Sequence, residues 1–184
     1  MRLVHDGLPQ SGDDRLLAGA VGPVLPSLLC DAAIEVTPGW PMELREVTAE
    51  TGGDALRRGE LDAVLTHLPL RGPGLDVLPL PALEVVLAGP PRTQRARVAC
   101  LDGAPFQRAD AQLRAPSLAL LTSLSERLAL VAWLPKVCVP ASWVVLEEGK
   151  PVEASLWTRE YPSSAPAHLL TLRARLAARL RGAP

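Results

Sequence analysis

At 184 residues, 48% apolar and 21% charged, the chain has the make-up of a globular protein of one domain, or of two small lobes sharing a core. A formal net charge of −1 excludes a general attraction to nucleic acid or to anionic membranes, both of which need a marked positive excess. No apolar run approaches the roughly 18–20 residues that cross a bilayer. MRLVHDGLPQSGDDRLL lacks the basic start and apolar centre of a signal peptide, so the cytoplasm is the expected location. Cys30, Cys100 and Cys138 are far apart, as are His5, His67 and His168. None has the clustered spacing of a zinc site, so structural thiols and no metal are expected.

In chain order, Met1 to His5 is a short apolar opening that suggests a first strand, followed by the loop LPQSGDD. Ser11 or Asp13 can cap a helix beginning near Asp14, with Leu16, Leu17, Val21, Val24, Leu25, Leu28 and Leu29 at helical spacing and Pro23 and Pro26 kinking or splitting it. Met42 to Val47 alternates as a strand. Thr51 to Arg58 is helical, and Gly59 suits the left-handed turn that ends it. Ala63 to Thr66 is short and uniformly apolar, the pattern of a buried parallel strand.

LDVLPLPALEVVLAGPP then runs extended, stiffened by Pro79 and Pro81, with Val85 to Leu87 as a further strand. Arg92 to Ser117 is polar and poorly periodic, and Phe106 is its one aromatic residue. TSLSERLALVAWLP predicts a helix capped by Thr122 or Ser123, where Glu126 three residues after Ser123 fits a capping box. VCVP, SWVVLEE and PVEASLWTRE follow as strands. The closing helix sets Leu169, Leu172, Leu176 and Leu180 on one face. Its arginines suit a core-packing helix with cations near the negative end of its dipole better than a DNA reader, because no helix-turn-helix partner stands beside it. Alternating strands and helices make the fold class α/β.

The order of these pieces resembles the effector-binding domain of LysR-type transcriptional regulators. Matching stretches are Met42–Glu50, Ala55–Leu65, Pro73–Pro91, Leu121–Pro140 and Val152–Leu180, and ALRRGELDAVL followed by PGL and LPL is the most specific of them. The resemblance implies two Rossmann-like lobes joined by two crossover strands, the type 2 periplasmic-binding-protein-like architecture. Residues 1–80 plus 153–184 would form lobe I, and residues 81–152 a shortened lobe II in which Trp133 stands where small residues are usual. It also implies a small-molecule effector between the lobes and side-by-side pairing, either as a homo-oligomer (dimer or tetramer) or with a full-length regulator. The family's winged helix-turn-helix has no counterpart in these residues, so direct DNA binding by this chain is not expected.

In open parallel sheets, ligands bind beyond the carboxyl ends of the strands, facing helix N-termini. In the implied topology the first strand delivers Ser11 and Gly12 to that edge, the strand at 63–65 delivers Thr66 and His67, and the helix starting at Thr122, Ser123 and Ser125 faces them from the other lobe. Phe106 completes the candidate set. Two helix N-termini facing one cleft favour a small carboxylate without any lysine. A ligand-free oligomerisation scaffold and a small-acid lyase or transferase are the alternatives. The second lacks a visible nucleophile–base pair, GxSxG, HExxH or P-loop, so no enzyme activity and no cofactor are expected.

Overall fold

The computed structural model describes residues 15–36, 41–91, 93, 97–106 and 110–182. Met1 to His5, Ser11 and Gly12 therefore lie outside the described residues.

The first described strand, β1, is Leu16–Val21, and the helix α1 (Leu25–Val36) follows it. This corrects the expected helix start near Asp14: the run does break around Pro23, but the part before the break is a strand. Leu16, Ala18, Ala20 and Val21 are all buried because β1 lies inside a sheet, so the run shows no alternation. Gly19 sits so close to Leu61 and Val47 that a methyl group there would come within 3.0 Å of both. Pro26 falls in the first turn of α1, where a missing N–H costs nothing, so it does not kink the helix.

The strand β2 (Met42–Val47) is as predicted, with Leu44 alternating against exposed Glu43 and Arg45. The helix α2 runs Ala49–Arg57 and is followed by Gly59 at φ 70. Strand β3 (Ala63–Thr66) is wholly buried, parallel to β1 and antiparallel to β10 (Ser155–Arg159). With β4 (Leu75–Pro79) these make a five-stranded sheet in the order β2-β1-β3-β10-β4.

A second five-stranded sheet has the order β7-β6-β8-β5-β9, from β5 (Val85–Gly89), β6 (Val98–Leu101), β7 (Leu113–Ala115), β8 (Val131–Pro135) and β9 (Val144–Glu148). Strands β6 and β7 occupy the stretch that shows no periodicity. The helix α3 is Leu118–Leu128 and begins at its cap Ser117, upstream of the expected Thr122–Ser125 start. It ends at Ala129 in the left-handed conformation, so VAWLP is not helix but the buried strand β8. VCVP is not a strand: Lys136–Cys138 forms a 3-10 turn.

The chain passes between the sheets twice, from β4 to β5 and from β9 to β10. The two passages are tied by an antiparallel bridge between Leu83 and Val152, with Leu83 N–H donating to Val152 O at 2.7 Å and Val152 N–H returning the bond at 3.0 Å. The last helix, α4 (Ala167–Leu180), buries Leu169, Leu172, Leu176 and Leu180 and lies along α1. Arg179 bonds Glu35 and stands 3.6 Å from Asp31, while Arg175 is 3.8 Å from Glu35. Two of the terminal arginines thus fasten one helix to the other.

Candidate functional site

The carboxyl end of β1 turns at Gly22, whose φ of 86 only glycine adopts freely, and leads to Pro23. Next to it, β2 ends at Val47 and α2 begins. Thr48 is the N-cap: its Oγ accepts the Thr51 N–H at 3.1 Å, and Thr51 Oγ accepts the Thr48 N–H at 3.0 Å. This reciprocal pair does what Ser/Glu capping boxes do. The two hydroxyls stand 3.0 Å apart, within donating distance of each other, and Thr51 Oγ also has Thr48 O at 3.4 Å as an acceptor. From the second sheet β7 ends at Ala115, and Pro116 and Ser117 open α3, with Ser117 Oγ accepting the Leu120 N–H at 3.3 Å.

These three chain turns meet in one cavity of about 490 Å³, lined by Gly22, Pro23, Glu46, Val47, Thr48, Thr51, Pro116 and Ser117. Its walls belong to both sheets. Two helix N-termini open into it, and each carries N–H groups that have no partner within its own helix and the positive end of a dipole. Glu46 supplies the only formal charge among the described lining residues.

The sequence-predicted residues divide around this cleft. The His67 ring lies beside Gly22, where an added methyl would be 3.5 Å from His67 Cε1, so His67 does reach the rim of the first sheet. Burial lowers its pKa below the usual histidine value and keeps the ring neutral. Thr66 is buried and its hydroxyl is turned onto its own chain, with Oγ accepting the Leu68 N–H at 2.9 Å and donating to Leu68 O at 3.2 Å.

Thr122, Ser123 and Ser125 are not at a helix start, because Ser117 caps α3 and leaves them within its interior. Thr122 Oγ bonds back to Leu118 O at 3.1 Å and Ala119 O at 3.0 Å. Ser125 is fully buried, with no hydrogen-bond partner for its hydroxyl. Glu126 accepts the Trp143 indole N–H at 3.2 Å instead of closing a capping box.

Phe106 lines a different cavity, of about 590 Å³, beside the second crossover. Sequence reasoning missed Thr48, Thr51 and Ser117. Thr-x-x-Thr at the end of β2 was the available signal for the first two, and a serine just ahead of the apolar LALL run for the third.

Among the described residues no cluster of His, Cys, Asp and Glu could hold a metal ion. Cys138 is pushed up to about 11 by burial, with the charge of Asp31 adding to it, so it is a thiol and not a thiolate at neutral pH. Among the described residues no helix is long and apolar enough to cross a membrane.

No family model and no curated protein matches the sequence. Solved structures do match in shape. The reduced form of the OxyR regulatory domain from Pseudomonas aeruginosa superposes with a TM-score of 0.64 at 19% identity, over 90% of this chain and 95% of that one. CbnR, a LysR family transcriptional regulator, gives 0.60 at 12% identity, over 88% of this chain and 68% of that one. The BenM effector-binding domain with its effector benzoate gives 0.64 at 12% identity, over 90% and 91% of the two chains. The fold is that of the LysR-type effector-binding domains. The expected type 2 periplasmic-binding-protein-like architecture is thereby shown.

Proposed function

We propose that this chain is the effector-sensing domain of a LysR-type transcriptional regulator, acting in the cytoplasm, and that it holds a small carboxylate in the cleft between its sheets. The observation that carries the reading is the cavity lined by Thr48 and Thr51 from one sheet and Ser117 from the other. A carboxylate there meets two helix N-termini, each contributing on the order of 0.3–1 kcal/mol, and hydroxyls able to orient it. Residues 1–80 plus 153–184 and residues 81–152 act as the two moving lobes. A ligand touching both favours the closed arrangement by as much as it prefers it, and that bias is what a paired regulator reads. The partner is a second copy or a full-length regulator, and neither role requires catalysis.

Thermal unfolding against a panel of small mono- and dicarboxylates tests this. At least one should raise the midpoint as its concentration rises, following RT ln(1 + [L]/Kd). Thr48→Ala and Ser117→Ala, each compared with its own ligand-free midpoint, should weaken that gain about three- to tenfold in Kd. Glu46→Gln should strengthen it, because the native carboxylate repels the ligand's. A panel with no shift, in a chain that remains a stable dimer, would replace the sensor with a scaffold, and turnover of a panel member would replace it with an enzyme.

A further inference from the structure

The larger cavity, about 590 Å³, lies against the second crossover and shares none of its described lining residues with the cleft. Its size suits a drug-sized or smaller ligand. Trp133 and Phe106 supply aromatic surface, and Val85, Val152, Pro105 and Pro151 supply aliphatic surface. Gly149 packs against the six-membered ring of the indole: a methyl group at this residue would be 2.5 Å from Trp133 Cζ3 and 3.1 Å from Val85 O. Glycine is therefore what lets the crossover pass so close to the ring.

Among the described lining residues, Lys150 and Glu153 are the only formally charged ones, one of each sign. Both are exposed, and among the described residues neither makes an ion pair with the other or with any group. The neighbouring lysine is already committed, since Lys136 Nζ bonds Glu84 at 2.7 Å. An aromatic slot with one free ammonium and one free carboxylate at its edge does not favour a net anion or a net cation.

We propose that this cavity is a second ligand site, distinct from the carboxylate cleft, and that it takes an aromatic zwitterion of the α-amino acid type. The ring lies along Trp133 and Phe106, the ligand carboxylate meets Lys150, and its ammonium meets Glu153. Ring contact supplies apolar burial and a quadrupole fit, and the two charged ends supply charge-assisted hydrogen bonds.

Calorimetric titration of the chain with L-phenylalanine, phenethylamine, 3-phenylpropanoate and L-alanine separates the contributions. Phenylalanine should bind about tenfold or more tighter than either of its singly charged relatives, and alanine should not bind. Lys150→Met should cost phenylalanine and phenylpropanoate about tenfold and leave phenethylamine unchanged, while Glu153→Gln should do the reverse for the two monopolar compounds. Both side chains are exposed, so neither change threatens the fold. A binding heat that Lys150→Met or Glu153→Gln removes, and that Thr48→Ala and Ser117→Ala do not remove, belongs to this cavity, whereas a carboxylate heat with the opposite response belongs to the cleft, which keeps the two outcomes separate. No binding of phenylalanine at about 10 mM, equal affinity for all four compounds, or indifference to both charge substitutions would overturn the proposal.

Discussion

His67 shows how a single side chain can be placed correctly at a sheet edge and still be doing something plain. It sits at the end of β3 against Gly22, and its half-buried ring is held neutral by desolvation. A histidine whose folded pKa is lowered binds fewer protons in the native state than in the unfolded chain, where it titrates near about 6.5. Its contribution to stability is therefore complete above that value. It is lost progressively as the pH falls toward the lowered folded value, and does not recover below it. The expected outcome is that the urea midpoint of the native chain falls between about pH 7.5 and 5.5, and that His67→Gln reduces that fall. Other groups titrate in the same range, so the difference between the two profiles is the quantity to read. Parallel profiles would show that the ring is freely solvated in the folded protein.

At the scale of elements, the end of α3 offers a direct test. Ala129 closes the helix at φ 50 and ψ 53, with its N–H donating to Ser125 O. A left-handed alanine costs about 1–2 kcal/mol, and glycine avoids that cost while losing about 0.4–1 kcal/mol more chain entropy on folding. Ala129→Gly should thus stabilise the protein by about 0.5–1 kcal/mol, seen as a higher denaturant midpoint at unchanged slope. A lower midpoint would mean that the methyl group matters more to packing than the backbone does.

The same helix shows why elements differ in how legible they were. β2 could be read because one face is half-buried and the other is wet, α4 because four leucines share a face, and α2 because Gly59 marks its end. The start of α3 could not. Ser123-x-x-Glu126 imitates a capping box, whereas the true cap Ser117 has Leu120 at the position where an acidic partner would have marked it. That error displaced the second-sheet half of the candidate site. Reading α2 from Thr51 had a similar effect in the first sheet, since it made a first-turn residue of Thr51 and hid Thr48 as the cap. β1 was lost because a strand buried on both faces carries no period of two. β6 and β7, of 4 and 3 residues, are too short to show one.

At the scale of the molecule, two sheets joined by two crossovers could unfold as two bodies or as one. The packing favours one. A single contiguous cluster of buried side chains runs from Leu16, Leu29 and Leu172 on the first sheet's side, through Leu83 at the crossover, to Val86, Leu101 and Leu121 on the second. Leu172 is fully buried, and truncating it to alanine should cost about 2–5 kcal/mol. If the cluster unfolds as a unit, that loss is felt in both halves. Replacing Trp40 and Trp157 with phenylalanine leaves Trp133 and Trp143, both buried among second-sheet elements, as the only tryptophans. In that background Leu172→Ala should lower the fluorescence midpoint by as much as the far-ultraviolet dichroism midpoint, with one transition in each. A fluorescence transition that stays in place while part of the dichroism moves would mean that the second sheet holds its fold without α4. The crossovers would then be a tether, and a ligand could bias the lobes only by touching both of them.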